Sequence, residues 1–287
     1  MTDTADSRRW FDAELSLRRQ LKGFLGGDFP LDVPNESCRM PPIKPATVKD
    51  SSLHQRRRAP TAQELASIPW LGLLSPSDRA LAVADLAVGD ALPGDLVCRV
   101  GRPVTYWLGV VEGLLKMSTD SSDGQTMTYT GVPPGGWFGE GTALKRESYR
   151  YNIQALRKSL VAGLPVGTFH QLLDQSIGFN RFVMNQLNER LAQFIAAREI
   201  DRMNNPDVRV ARSLAALFNP VLYPGVGEVL RITQQELAYL VGLSRQRVNE
   251  ALTALQARGI IRVEYGGLRV LGIDALRSAI FEKKNGL

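Results

Sequence analysis

Cysteine and histidine are scarce: Cys38 and Cys98 are the only thiols among 287 residues, and His54 and His170 the only imidazoles. Two distant cysteines cannot by themselves hold an iron–sulfur cluster or a structural zinc ion, each of which takes several thiolates. Haem ligation would have to rely on His54, in a proline-rich stretch, or on His170, beside Phe169 at the point where β-prone sequence turns helical. No run of about 18 apolar residues occurs, which excludes a conventional membrane helix. Met1–Trp10 carries acids and arginines with no apolar stretch behind it, against a secretory signal. Nor is there a nucleophile motif, a phosphate-cradling Walker loop or a cluster of metal-ligating side chains. The expectations are no catalytic residues, no metal, no membrane, and a reduced cytoplasm as the setting for the two thiols.

What is present is ordinary for a globular chain, with 44% hydrophobic and 22% charged residues. The net charge of +6 is unevenly placed. Residues 1–60 hold eleven basic against eight acidic side chains, and residues 205–287 eleven against seven, whereas 61–204 is close to neutral. A basic C-terminal segment suits a polyanion, because each neutralised phosphate releases condensed counterions. A solvated basic surface would have the same composition, so charge alone does not decide.

Four segments differ in pattern. Residues 1–61 combine a short apolar-periodic stretch around Trp10–Leu25 with a proline-rich, polar stretch ending in Arg56-Arg57-Arg58, and too few periodic apolar residues to build a core. A flexible extension is expected there, its arginines a solvated tail or a contact to DNA. Over 62–178, helical spacing from Leu65 to Leu86 gives way to short β-prone runs at 104–111, 113–118, 125–132 and 152–164, punctuated by glycines, with Asp123-Gly124 as a hairpin signal. That pattern points to a jelly roll or small barrel. Over 179–204 a long helix without proline or glycine carries Met184, Leu187, Leu191 and Phe194 at seam spacing, consistent with a dimer helix or with one packed inside a monomer. Asn204-Asn205-Pro206-Asp207 then reads as a hinge.

Residues 205–287 carry the most specific signal. Thr233-Gln234-Gln235-Glu236 is a capping box; Leu237, Val241, Leu243 and Val248 have the spacing of two crossing helices; Ala238 is small at the crossing; Gly242 occupies the turn; Ser244 can cap the second helix. This is a helix-turn-helix. Ser244, Arg245, Gln246, Arg247 and Asn249 cluster at the end of the second helix that would enter a major groove, where Arg can pair with guanine and Gln or Asn with adenine. Ile260–Tyr265 and Leu268–Leu271 flank Gly266-Gly267 as a β-hairpin wing, with Arg262 and Arg269 as candidate phosphate contacts.

The arrangement over about 65–280 resembles the cyclic-AMP receptor/fumarate-nitrate regulator (CRP/FNR) superfamily, through this helix-turn-helix and Gly136-Trp137-Phe138-Gly139-Glu140. The resemblance implies an α+β fold: an N-terminal double-stranded β-helix (jelly-roll, cyclic-nucleotide-binding-like) domain, a long dimerisation helix and a C-terminal winged helix-turn-helix. It implies double-stranded DNA with a twofold-symmetric operator as partner, a homodimer, and RNA polymerase as a further partner. In cyclic-nucleotide binders of the family a Gly-Glu pair and an Arg ten residues on hold the ribose and the phosphate; the matching residues are Gly139, Glu140 and Arg150. Two departures change the pocket. Tyr151 and Asn152 replace a small hydroxyl residue and alanine, and Phe194 and Ile195 replace the hydroxyl residues that read the base. The expected effector, bounded by Gly139, Glu140, Arg150, Tyr151 and Phe194, is therefore a small molecule other than standard cyclic AMP; no resident cofactor is implied. A constitutive DNA-binding regulator with a structural roll and a cyclic-nucleotide-responsive signalling adaptor are the rival functions. On the DNA side Arg245 and Gln246 align with the family's Arg-Glu reading pair, so the half-site should differ.

Overall fold

In the computed structural model, residues 57–121, 126–201 and 205–278 are described. The expected N-terminal helix, Cys38, His54, the Asp123-Gly124 turn and Asn204 lie outside these residues. The described chain begins with β1 (Arg57–Arg58), α1 (Ala62–Ala66), a 3-10 turn at Pro69–Leu73 and α2 (Pro76–Asp85). Thr61 caps α1 in a box with Glu64, and Ser75 caps α2 by accepting from the Asp78 amide. Arg58 is not a free tail arginine: it forms a two-pronged pair with Glu64 at 2.6 and 2.8 Å.

Eight strands follow: β2 (Ala87–Ala91), β3 (Leu96–Cys98), β4 (Tyr106–Glu112), β5 (Leu115–Asp120), β6 (Thr126–Val132), β7 (Trp137–Phe138), β8 (Asn152–Ala155) and β9 (Ser159–Pro165), with α3 (Glu140–Lys145) between β7 and β8. They form two antiparallel sheets, ordered β1-β2-β9-β4-β7 and β3-β8-β5-β6, which face each other as a roll. Strand alternation explains the layering. Leu108, Val110 and Val161 point inward and join Leu115, Met117 and Ile153 from the opposite sheet. Trp107, Ala162 and Leu164 point outward, and that face would be wet if nothing covered it.

The cover is helical. α4 (Val166–Gln175) and the long α5 (Ile177–Asp201) lie over the outer face, and Trp70, Trp107, Trp137, Phe169 and Phe179 build an aromatic cluster with ring centroids 4.3–5.6 Å apart. The third segment comprises α6 (Pro206–Ala216), β10 (Val229–Leu230), α7 (Gln234–Val241), α8 (Arg245–Ala257), the hairpin β11 (Ile261–Glu264) and β12 (Gly267–Val270), and α9 (Ile273–Arg277). Its core gathers Val210, Leu214, Leu237, Val248, Leu252 and Leu268, and Leu114 of the roll belongs to the same cluster.

On α5 the expected seam divides between two faces. Leu187 and Phe194 pack against the roll, whereas Met184 and Leu191 are exposed together with Ile177 and Ile195. The solvent-facing stripe therefore runs Ile177, Met184, Leu191 at seven-residue spacing, flanked by Ile195. Both faces are apolar in sequence, and only the position of the roll separates them.

Gly109 has an unforgiving place: a Cβ there would sit 2.4 Å from the Trp137 indole. Gly109→Ala should therefore destabilise the protein by about 1–3 kcal/mol through overpacking, read as a lower urea midpoint. An unchanged midpoint would mean that the aromatic cluster yields without cost.

Candidate functional site

The helix pair has the local geometry its sequence encodes. The Thr233 hydroxyl accepts from the Glu236 amide at 3.1 Å while the Glu236 carboxylate accepts from the Thr233 amide at 2.7 Å, closing the box. Gly242 ends α7 in the left-handed region at φ 66°, and the Ser244 hydroxyl caps α8 by accepting from the Arg247 amide at 3.2 Å. Arg245, Gln246 and Asn249 lie exposed on the first turns of α8. Asn249 is oriented by Gln234, whose amide nitrogen donates to its Oδ1 at 2.7 Å, and the Gln246 amide donates to Glu250 at 3.3 Å.

Three arginines grouped with these residues are placed differently from one another. Arg247 is half-buried and braces α8 against α6 through Asp207 at 2.5 Å, with Glu250 at 3.0 Å on its other nitrogen. Arg269 in the wing is engaged by Glu264 at 2.6 Å and Glu228 at 2.8 Å, which together hold its pKa above the usual value. Both guanidiniums thus have acidic partners within the chain. Arg262 is exposed on β11.

The roll does not bring its expected pair together. Arg150 is 74% exposed and pairs with Glu147 at 3.1 Å, while Glu140 is 3% exposed and turned inward. Gly139 takes φ 84° at the start of α3, a left-handed conformation that glycine adopts without strain. Tyr151 lies beside it, its hydroxyl 3.5 Å from where a Gly139 Cβ would be and interacting with Thr142. Burial pushes the Tyr151 phenol well above its ordinary pKa. Phe194 packs against the same inner core and meets Tyr129 edge-on at 6.1 Å. Cys98 is buried there too, its thiol pushed up to about 12 by desolvation, so it is held as the unreactive thiol. His170 sits in α4 with Nε2 3.0 Å from the Ala143 carbonyl, a structural contact. Among the described residues no group of three His, Cys, Asp or Glu side chains could hold a metal, and no helix is long and apolar enough to cross a membrane.

Glu140 is met instead by Arg190 of α5, which sequence inspection did not single out. Arg190 is 7% exposed. It donates from Nε to Glu140 at 3.3 Å, from Nη2 to the Trp137 carbonyl at 2.7 Å, and from Nη1 to the Tyr223 hydroxyl at 3.1 Å. Burial opposes its charge, but Tyr223 and Glu140 outweigh that and raise its pKa. Tyr223 comes from the loop between α6 and β10, so one guanidinium joins the roll, the long helix and the helix-turn-helix segment. A second link is Arg157, between β8 and β9, which grips Glu236 of α7 with two 2.8 Å bonds. Beside it Gly131 of β6 faces Leu240 and Leu217, closely enough that a Cβ would fall 2.7 Å from the Leu240 side chain. The one sequence signal for Arg190 was a polar stripe, Gln186, Glu189, Arg190 and Gln193, on a helix otherwise noted for its apolar positions.

Residues 90–176 match the cyclic nucleotide-binding domain family and residues 208–279 the Crp-like helix-turn-helix domain family. Among curated proteins, transcriptional regulator SdrP of Thermus thermophilus is 29% identical over 181 residues, covering 62% of this chain and 85% of that protein. The cAMP-activated global transcriptional regulator Vfr of Pseudomonas aeruginosa is 26% identical over 172 residues, covering 57% and 79%. FixK2 from Bradyrhizobium japonicum is similar in structure, with a TM-score of 0.55 at 16% identity over 67% of this chain and 95% of that one; that likeness concerns the fold.

The two arginines associated with Glu140 should behave oppositely on replacement. Arg190→Ala leaves a buried carboxylate unpaired and should cost about 3–5 kcal/mol, whereas Arg150→Ala, at the surface, should stay within about 0.5 kcal/mol of the parent. Chemical denaturation of the two variants side by side reads the difference, and equal losses would contradict this assignment of partners.

Proposed function

Since the chain belongs to the CRP/FNR superfamily of transcription regulators, we propose that it is a dimeric, sequence-specific DNA-binding regulator whose β-roll answers to an effector other than standard cyclic AMP. In this reading residues 62–178 are the sensor, 179–204 the dimer helix and 205–287 the DNA-binding domain, with residues 1–61 an extension. Two copies pair along the Ile177, Met184, Leu191 and Ile195 stripe, which would otherwise leave large apolar side chains in water. Each presents one α8 to a twofold-symmetric site, and RNA polymerase is a natural further partner.

The observation that carries the DNA-binding reading is the exposed set Arg245, Gln246 and Asn249 on the first turns of a capped second helix. Arg245 offers a planar fork to guanine, and the two amides offer donors and acceptors to neighbouring bases. Arg262 is the wing's candidate phosphate contact, while Arg247 and Arg269 support the helix and the wing from inside. Against cyclic AMP stands the chemistry of the pocket: Tyr151 stands where a small hydroxyl residue would, one Glu140 oxygen is engaged by Arg190, and Arg150 faces solvent.

Domain movement would turn at Asn205-Pro206, where the Asn205 side chain caps α6 by accepting from the Asp207 amide. An effector acts only by binding one arrangement better than another, and the links that differ between arrangements are those of Arg157 and Arg190. The rival function, a signalling adaptor, gives no reason for exposed base-reading side chains on α8.

Binding-site selection with the full chain should return a twofold-symmetric duplex. On that duplex Arg245→Ala should lose about 1–3 kcal/mol of affinity and relax specificity at one position per half-site, while Arg269→Ala changes affinity far less. Calorimetric titration with cyclic AMP should show no saturable heat. Asymmetric single half-sites, or micromolar cyclic AMP binding, would overturn the corresponding part of the proposal.

A further inference from the structure

The loop Asn219–Val226 joins α6 to β10, yet its central side chains are in the core of the roll. Leu222 and Tyr223 are fully buried among Leu115, Val132 and Phe138. The loop is shaped for the purpose. The Asn219 side-chain oxygen accepts from the Val221 and Leu222 amides at 2.9 and 3.0 Å, and the Tyr223 amide donates to the Asn219 carbonyl at 2.8 Å. The polar stripe of α5 receives it: Gln186 donates to the Val221 carbonyl at 2.7 Å, Glu189 accepts from the Asn219 amide at 3.0 Å, and Gln193 lies 3.2 Å from the Tyr223 hydroxyl.

The receiving surface on the roll is built from missing side chains. Gly225 meets the Pro134-Gly135 turn so closely that a Cβ on Gly135 would fall 2.5 Å from the Gly225 nitrogen, and one on Gly225 would fall 2.6 Å from the Pro134 carbonyl oxygen. A Cβ on Gly136 would strike the Tyr223 ring at 2.8 Å. The Arg190 guanidinium stands 5.9 Å from the centre of that ring, within cation–π range, while it also donates to the hydroxyl. The second carboxylate oxygen of Glu140 is buried with no hydrogen-bond partner.

We propose that the space bounded by Gly136, Arg190 and Gln193 is a binding site for a phenolic ring, occupied by the chain's own Tyr223, so that the Asn219–Val226 loop is an internal ligand fastening the helix-turn-helix segment to the roll. The site has what a phenol requires: an apolar slot for the ring, a charged donor and an amide for the hydroxyl, and no room for a substituent beside Gly136. Arg190 is shared between this site and Glu140, so a molecule that draws either residue away also loosens Tyr223. The inference rests on the regulator reading only for what the released segment would then do.

The test uses full-length protein and no DNA, so its failure is distinguishable from failure of that reading. Tyr223→Ala keeps the Cβ and removes the ring with its hydroxyl, so the probe is phenol, the group removed, with benzene as the same shape lacking the hydroxyl. Tyr223→Ala should melt several degrees below the parent, recover part of that loss in millimolar phenol, and bind it in a saturable one-to-one manner about tenfold more tightly than benzene, the difference expected for hydrogen bonds to a charged partner. The parent, its slot filled, should show no saturable binding. Equal stabilisation of Tyr223→Ala by the two compounds, or no saturable binding of either, would reduce Tyr223 to ordinary core packing and overturn the proposal. Should Tyr223→Ala not fold, Tyr223→Phe decides: faster hydrogen exchange across 219–226 with the roll still protected supports it, and unchanged exchange overturns it.

Discussion

A guanidinium inside a protein must have its charge and its donors met there, because the cost of desolvating it is several kcal/mol. Arg190 is in that position at 7% exposure, and its partners come from three separate parts of the chain. Glu140 and the Trp137 carbonyl belong to the roll, Gln193 to the long helix and Tyr223 to the loop ahead of the helix-turn-helix. None of these can move far without leaving a buried charge or dipole unpaired. The packing of α5 on the roll and the docking of the following segment are consequently coupled through a single side chain.

That coupling changes the chemistry of the roll. A carboxylate at the start of α3 would be free to accept hydroxyls from a bound sugar if nothing else claimed it. Here one oxygen already accepts from Arg190, and the Tyr151 hydroxyl stands beside Gly139. The arginine that would complete an anion site lies at the surface beside Glu147. The roll matches the cyclic nucleotide-binding domain family, and its interior carries aromatic and charged side chains of the protein's own. Function is a property of such sites and does not follow from the fold that carries them.

Much of this was legible in the chain itself. The capping box at Thr233, the turn at Gly242, the cap at Ser244 and the wing around Gly266-Gly267 are local devices, each set by hydrogen bonds or torsions within a few residues. The short strands between glycines were legible for the same reason. The seam of α5 was legible only in part. Met184, Leu187, Leu191 and Phe194 are equally apolar in sequence, yet Leu187 and Phe194 face the roll while Met184 and Leu191 face solvent. Periodicity identifies apolar faces and leaves open what covers each one. Arg247 by position belongs to the start of the second helix and Arg269 to the wing; their acidic partners Asp207 and Glu228, 40 and 41 residues away in sequence, have no local signal.

The sequence by itself determined the order of segments, the helix-turn-helix with polar side chains at the start of its second helix, and the absence of cysteine-built clusters. Each depends on local geometry or on composition. Only the tertiary structure decided which partner Glu140 has, that Arg150 faces water, and that Tyr223 lies in the roll. Glu140, Arg190 and Tyr223 are 50 and 33 residues apart along the chain, and no spacing rule relates them. They meet because a buried ion pair and an amphipathic ring are satisfied by the nearest complementary group in space, and that group is known only once the chain has folded.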